Sequence, residues 1–97
     1  MANWTQKLKL QHLKMLVALG EQGNLTQVAK MMNITQPALS KWLTQFEEEV
    51  GMPLFERHSK GLRPSEGGKL LLQHAQRLIN DMSRSQYEIE RFKQGGL

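Results

Sequence analysis

Between Leu25 and Gly51 the apolar and polar positions repeat with the period of two helices joined by a short turn. In the second of these helices the apolar residues recur at spacings of four, three and four: Leu39, Leu43, Phe46 and Val50. That spacing places them on one buried face. Thr35 suits the N-cap, Pro37 suits the first turn, and Gly51 suits the helix end. The pattern predicts a helix between Thr35 and Gly51 that packs against a core.

The other side of this helix carries a connected polar face, which consists of Gln36, Pro37, Ser40, Lys41 and Thr44. Side chains of this kind can bond base edges or phosphates, and the small ones let a backbone approach a groove floor. An ordinary solvated face is the alternative interpretation. Acidic residues are few in its first half, however, and the three glutamates at 47–49 come only near the end. We therefore interpret the face as one that enters the major groove of DNA.

The shorter preceding helix begins after Gly23, with Asn24 as N-cap, and its inner side is Leu25, Val28, Ala29 and Met32. Asn33 suits the turn because asparagine tolerates the left-handed conformation. Base reading is assigned to Gln36, Pro37, Ser40 and Lys41. Helix N-termini attract phosphate, and the candidate phosphate contacts are Thr26, Gln27, Lys30, Thr35 and Thr44.

After Gly51 the pattern changes to two short strands around the turn residues Ser59, Lys60 and Gly61. Leu54, Phe55 and Leu62 are expected to pack on the core, and the basic side chains Arg57, Lys60 and Arg63 remain outside. A basic hairpin beside a recognition helix can reach phosphates or the minor groove. A solvated basic loop is the alternative. Pro64 lacks an N–H and is expected to keep the strands short.

From Gly68 to about Gln94 no Pro or Gly interrupts the chain, which predicts a helix of about 39 Å at 1.5 Å per residue. Ser65 can cap it. Its apolar positions form a heptad seam: Leu71, Ala75, Leu78, Met82, Ile89 and Phe92, with Ser85 in the gap. A seam too long to be buried in its own chain indicates a partner helix, and the simplest partner is a second copy. The alternative is that the stripe packs only on the first helix of its own domain.

Upstream, Lys9 to about Gln22 reads as a bracing helix, with Gly20 explained by close packing against a neighbouring helix. Met1 to Lys7 has little pattern and is expected to be frayed, with Trp4 half-buried or disordered. Trp42 lies at the rim of the apolar stripe. It is expected to pack over the wing or the first helix, or else to contact the DNA backbone.

Composition narrows the function classes. The 97 residues carry 13 Lys and Arg against 9 acids, and residues 1–46 hold five lysines against one glutamate. That excess favours an anionic partner. Neither a membrane-spanning run nor a signal-peptide pattern is present. The three scattered histidines and the absence of Cys argue against a metal site, and no phosphate loop or activated nucleophile indicates an enzyme or a cofactor.

The stretch from about Leu13 to Gly68 resembles the N-terminal DNA-binding domain of the LysR-type transcriptional regulators. The resemblance rests chiefly on the segment 35–40, which reads TQPALS, followed by LFER at 54–57, with Gly23, Leu25, Thr26 and Gly51 at matching positions. Asn24, Val28, Trp42 and Pro64 depart from the usual pattern, in which the family has Ser, a small Ala, a polar residue and an aliphatic residue.

The resemblance implies a mainly α fold: a winged helix-turn-helix of three helices and a two-stranded wing over residues 1–64, then a dimerisation helix over 65–97. It implies a cytoplasmic bacterial homodimer, paired through antiparallel helices, that binds an inverted-repeat operator in double-stranded DNA. Regulators of this family continue into a large C-terminal effector-binding domain, which these residues do not contain. An inducer would act only through that domain. The alternatives are a helical adaptor that binds protein, or a winged-helix regulator of another family such as the MarR-like proteins.

Overall fold

The computed structural model describes residues 3–96. Within that range a 3-10 turn, four α-helices and a two-stranded antiparallel sheet follow one another along the chain. Their bounds are Trp4–Lys7 for the 3-10 turn, then α1 Leu10–Gln22, α2 Leu25–Met31, α3 Gln36–Val50, β1 Phe55–His58, β2 Gly61–Pro64 and α4 Glu66–Lys93. This architecture confirms the predicted winged helix-turn-helix and the long helix that follows it.

One hydrophobic core joins α1, α2 and α3 and extends beneath the two strands. Its fully buried side chains come from several elements: Leu16, Leu19, Val28, Leu39 and Leu54. The predicted stripes are confirmed, because the inward positions of α2 and α3 are buried, apart from their last members Met32 and Val50, which are half-buried. Burial of this stripe fixes which side of α3 faces outward.

The helix-turn-helix is held by local hydrogen bonds at its two N-caps. The Asn24 side-chain oxygen accepts a bond of 2.9 Å from the Gln27 N–H, and the Thr35 hydroxyl accepts one of 3.2 Å from the Ala38 N–H. Asn33 lies in the turn with φ 58°. Each of these positions has the role that its residue type predicted.

The wing pairs β1 with β2 in antiparallel register, from Phe55 opposite Pro64 to His58 opposite Gly61. β1 is longer than expected by His58, and β2 is longer by Pro64 and by Gly61, which was expected in the turn. Pro64 is tolerated because it occupies the last position of the strand, beside the start of α4. The Leu62 N–H donates to the Gly23 carbonyl at 2.8 Å, which ties the wing to the end of α1.

The long helix α4 begins two residues earlier than predicted, at Glu66. The Ser65 hydroxyl accepts a 3.0 Å bond from the Gly68 N–H and donates a 2.8 Å bond to the Pro53 carbonyl, so the cap also anchors the preceding loop. In the first half of α4, Leu72 packs against Gly20 so closely that an added Cβ there would lie 2.7 Å from a Leu72 methyl. The proposed reason for Gly20 is thereby confirmed.

The expectation of a frayed N-terminus is wrong for Trp4 to Lys7; Met1 and Ala2 lie outside the described residues. Trp4 is half-buried, and its ring meets Phe46 edge-on at 5.7 Å. Phe46 stacks on Trp42 at 5.1 Å, and Trp42 stacks on His12 of α1 at 4.9 Å. Trp42 therefore packs on the first helix, one of the two packing partners expected for it. Trp42 and Phe46 are one helical turn apart, but the other two contacts join residues distant in sequence, and such contacts leave no local pattern.

Candidate nucleic-acid interface

The polar face of α3 is accessible over its whole length. Pro37, Lys41 and Thr44 are exposed, while Gln36 and Ser40 are half-buried at the edge of the helix. In the trio on which the DNA interpretation depends, Gln36 and Ser40 are thus partly covered and Thr44 is exposed, and none of the three is buried. Leu39, Leu43 and Phe46 hold the same helix from behind. The face can therefore approach a flat or grooved partner without a change of fold.

A cleft of about 300 Å³ brings three separate elements together at the start of this face. Thr26 of α2, Gln36 of α3 and Arg57 of β1 all line it. The start of α2 and the first residue of α3 supply one wall, and the wing supplies the other. One cleft thus brings together a predicted base-reading residue, Gln36, a predicted phosphate contact, Thr26, and a basic residue of the wing, Arg57.

A second cleft of about 280 Å³ lies on the other side of the wing, between the end of α1 and the two strands. Lys60 and Arg63 line it, together with Glu21. Gln27, Lys30, Lys41 and Thr44 lie outside both clefts and are exposed. The predicted DNA-binding residues therefore form a broad surface with two concave parts rather than one pocket.

The basic side chains of this surface are free to meet an anion. Within residues 3–96, the ion pairs formed by lysine and arginine lie on α4 and do not involve Lys30, Lys41, Arg57, Lys60 or Arg63. The Thr35 hydroxyl oxygen accepts the cap bond, so the hydroxyl proton remains able to donate to another group. Charge and donors are thus available where a phosphate backbone would need them.

Glu47 has a structural role that the sequence did not reveal. Its carboxylate accepts backbone N–H bonds from Leu54 at 2.6 Å and from Phe55 at 3.1 Å. These bonds attach the entrance of the wing to the last turns of α3. The acidic group therefore lies away from the polar face and fixes the position of the wing relative to it.

His58, the last residue of β1, is not among the interface residues predicted from the sequence. It lines both clefts, and its Nε2 lies 3.8 Å from a Glu56 carboxylate oxygen. In the sequence, its position between the basic residues Arg57 and Lys60 could have indicated that it lies at the same surface.

The predicted dimerisation residues of α4 divide into a covered group and an exposed group. Ala75 is completely buried within the chain itself, where α4 packs on α1, and Leu71 is half-buried. The structure thus places Ala75 in the intramolecular packing, where it has no free surface to offer a partner. The remaining residues are exposed by half or more of their surface: Leu78, Met82, Ile89 and Phe92.

No helix within residues 3–96 is long and apolar enough to cross a membrane.

Comparison with known proteins links these features to one family. Residues 10–69 match the family described as bacterial regulatory helix-turn-helix protein, lysR family. The chain is 41% identical over 90 residues to the HTH-type transcriptional regulator GbpR of Azospirillum brasilense, covering 91% of this chain and 26% of that protein. It is 36% identical to the small neutral protease regulatory protein of Streptomyces coelicolor, covering 93% and 27%. The chain thus spans about a quarter of the length of these relatives.

Solved structures agree with the sequence comparison. The BenM DNA-binding domain in complex with catB site 1 DNA is 31% identical, with a TM-score of 0.83 over 91% of this chain and 95% of that chain. DarR of Vibrio fischeri, in complex with DNA, is 30% identical, with a TM-score of 0.80 over 94% of this chain and 31% of that chain. The fold is therefore similar to that of domains seen on DNA.

Proposed function

The chain belongs to the LysR family of bacterial transcriptional regulators, and from that membership we propose that it binds double-stranded DNA sequence-specifically, as a homodimer. The observation that carries the proposal is the cleft where Thr26, Gln36 and Arg57 meet beside an uncovered polar face. Related domains at 30–31% identity have been seen in complex with DNA, which supports the same partner here.

In the proposed complex the N-terminal half of α3 enters the major groove. Gln36, Pro37, Ser40 and Lys41 meet base edges, since amide, hydroxyl and ammonium groups can read them and the proline contributes apolar contact. The surrounding backbone contacts come from Thr26, Gln27, Lys30, Thr35 and Thr44, and the wing adds Arg57, Lys60 and Arg63. The affinity should then fall steeply as salt rises.

Dimerisation through α4 is the second part of the proposal. The exposed row of Leu78, Met82, Ile89 and Phe92 continues past the region where α4 packs on its own domain. Exposed apolar rows of this length are typical of interaction sites. A partner helix would cover them, and two copies related by a two-fold axis would read an inverted repeat. We divide the chain accordingly into a reading unit at 1–64 and a dimerisation helix at 65–97.

The relatives are transcriptional regulators, and we propose that this chain likewise acts by binding rather than by catalysis, in the bacterial cytoplasm where its DNA target lies. A small-molecule inducer, if the regulator uses one, would act through a further domain that lies outside these residues.

Selection of bound sequences from random double-stranded DNA tests the proposed function. We expect a recovered inverted repeat, with half-sites separated by whole helical turns, and binding that weakens as salt increases. Recovery of unrelated sequences would exclude sequence-specific reading, and the absence of any salt-sensitive retention of DNA would point to a protein-binding adaptor.

Sedimentation equilibrium of a variant carrying both Ile89→Glu and Phe92→Glu tests the dimer. We expect monomers, together with roughly 100-fold weaker binding to a two-half-site duplex, since linked sites raise avidity by about two to four orders of magnitude. Gln73→Glu is the matched control, because this exposed residue lies on the side of α4 opposite the seam. A dimer that persists in the double variant would exclude the α4 seam as the interface.

A further inference from the structure

An apolar groove lies between the 3-10 turn Trp4–Lys7 and the first half of α4. Two adjoining hollows of about 200 and 470 Å³ form it, and Trp4, Leu71 and His74 line both of them. Apart from Thr5 and His74, the side chains that line the groove are apolar. The edge-on contact of Trp4 with an aromatic ring of the core holds the turn in place as one wall. The chain therefore presents a preformed apolar depression beside α4.

The far end of α4 carries a ridge of matching character, formed by Ile89 and Phe92. These side chains are 58% and 68% exposed. They lie 18 residues, or about five helical turns, beyond Leu71 and His74, so they project in the same directions about 27 Å further along the helix. Groove and ridge therefore lie on one face of α4, but the ridge cannot reach the groove of its own chain.

We propose that the ridge of a second copy inserts into this groove, so that Trp4 and the 3-10 turn form part of the interface between the two chains. The inference rests on the proposed dimerisation through α4, and it adds an occupant for the groove and a contact outside that helix. Leu78 and Met82, which lie between groove and ridge, are also apolar and about half exposed. One continuous apolar face therefore runs from the groove to the ridge.

The direction of the pair follows from the positions of groove and ridge. If the two α4 helices run antiparallel, the exposed end of each lies beside the groove of the other, and the two-fold axis makes the same contact twice. A parallel pair would place ridge beside ridge and groove beside groove, and both grooves would stay open. Antiparallel pairing covers both apolar surfaces of each chain at once, and the area removed from water is correspondingly larger.

A second copy in the groove leaves the candidate DNA-binding surface free. The residues that line the groove come from residues 4–13, from residues 50–54 and from the first half of α4. None of them belongs to the predicted DNA-binding residues. The dimer contact and the DNA contact can therefore form together in one complex.

Thiol cross-linking tests the inference, because the chain has no Cys of its own. Thr5→Cys places a thiol at the groove, and Glu88→Cys places one beside Phe92, since residues four apart share a helix face. A short bismaleimide cannot join the two thiols within one chain, because Glu88 lies about 15 Å along the helix beyond Leu78, where the groove ends. We expect a covalent dimer from the double variant and none from either single variant.

The matched control combines Thr5→Cys with Tyr87→Cys, since Tyr87 is exposed on the side of α4 away from the ridge. Equal cross-linking of the two double variants would show random collision and would overturn the inference. A covalent dimer from Glu88→Cys alone would also overturn it, because the two ridges lie side by side only in a parallel pair.

Sedimentation equilibrium measures the contact between Trp4 and Phe92 across the two chains. Phe92→Ala should weaken the dimer by roughly tenfold to 100-fold, as the loss of a buried aromatic anchor does. Trp4→Ala should weaken the dimer much less in the Phe92→Ala background than in the wild type, because residues in contact are not additive. Strictly additive effects would show that Trp4 acts only through its own fold, and would overturn the inference.

The outcomes separate this inference from the proposed function. A double variant Thr5→Cys, Glu88→Cys that sediments as a dimer but does not cross-link would overturn the inference and leave dimerisation through α4 standing. A wild-type chain that sediments as a monomer at every concentration would instead contradict the proposed dimerisation itself.

Discussion

The carboxylate of Glu47 accepts the backbone N–H of Leu54 at 2.6 Å, and the same oxygen accepts that of Phe55. This contact links the end of α3 directly to the first residues of the wing. The two parts of the candidate interface are therefore held in a fixed relation by one side chain.

Glu47→Ala should lower the free energy of unfolding by about 1–3 kcal/mol, because two partly buried N–H groups lose their acceptor. Glu47→Gln should cost less, since its amide oxygen can still accept. Urea unfolding followed by tryptophan fluorescence measures both. Glu48→Ala is the control, because Glu48 is exposed, and it should change stability by no more than about 0.5 kcal/mol. Equal values for all three variants would refute the role of Glu47.

Gly68 lies against the carbonyl oxygen of Leu54, and a Cβ at that position would overlap this backbone atom. Gly68→Ala should therefore destabilise the fold by about 2 kcal/mol or more, because overpacking must move backbone rather than a side chain. At the adjacent Gly67, a Cβ would meet only the flexible end of Met52.

Gly67→Ala should consequently stay within about 1 kcal/mol of the wild type, since the gain in helix propensity offsets the movement of Met52. Thermal unfolding of the two variants gives the comparison. A similar loss of stability in Gly68→Ala and Gly67→Ala would show that the Leu54 carbonyl does not limit how closely α4 approaches the wing.

His12 predicts a pH dependence of stability. Burial, and then the nearby Lys9 charge, lower the pKa of His12 from its ordinary value of 6.5. Its Nδ1 also accepts the Lys9 N–H at 3.0 Å, which requires that nitrogen to be unprotonated. The unfolded state therefore binds a proton first as the pH falls. The contribution is fully present above pH 6.5 and is lost as the pH falls from there through the lowered pKa.

Urea unfolding at pH 7.5 and pH 5.5 measures this effect. The wild type should lose more stability between the two values than His12→Gln does, because glutamine carries no titrating group. An identical loss in both proteins would assign the pH dependence to other residues.

The sequence was sufficient for the four α-helices, the two strands and most of the polar face, but not for the 3-10 turn Trp4–Lys7. The stripe from Leu39 to Val50 and the caps Asn24, Thr35 and Ser65 are local signals, since the residues that cooperate lie within a few positions of one another. The exposure of Lys41 and Thr44 followed directly from the helical period.

What the sequence could not supply depends on contacts between distant residues. Trp4 is ordered by Phe46, which lies 42 positions away, and Glu47 bonds a segment beyond the end of its own helix. Ala75 fits a heptad seam in sequence, yet the packing of α4 on α1 buries it. Periodicity predicts that a position is apolar or polar but does not identify the surface that covers it.

Lys41→Ala should weaken binding to the selected duplex by about 1–3 kcal/mol if the ammonium reads a base, and should lower the salt slope by about one if it holds a phosphate. Fluorescence anisotropy at several salt concentrations separates these roles. Lys93→Ala removes the same charge at the far end of α4 and should leave both quantities close to wild type. An unchanged affinity and slope for Lys41→Ala would remove this residue from the interface.

The most direct test of the account is a map of backbone amide shifts in the isotope-labelled protein on addition of the selected duplex. We predict that the largest changes fall in three segments, 24–30, 35–44 and 57–63, with small changes along the first half of α4. Changes concentrated on α4, with the amides of Gln36, Ser40 and Thr44 unmoved, would contradict the claim that the polar face of α3 meets DNA.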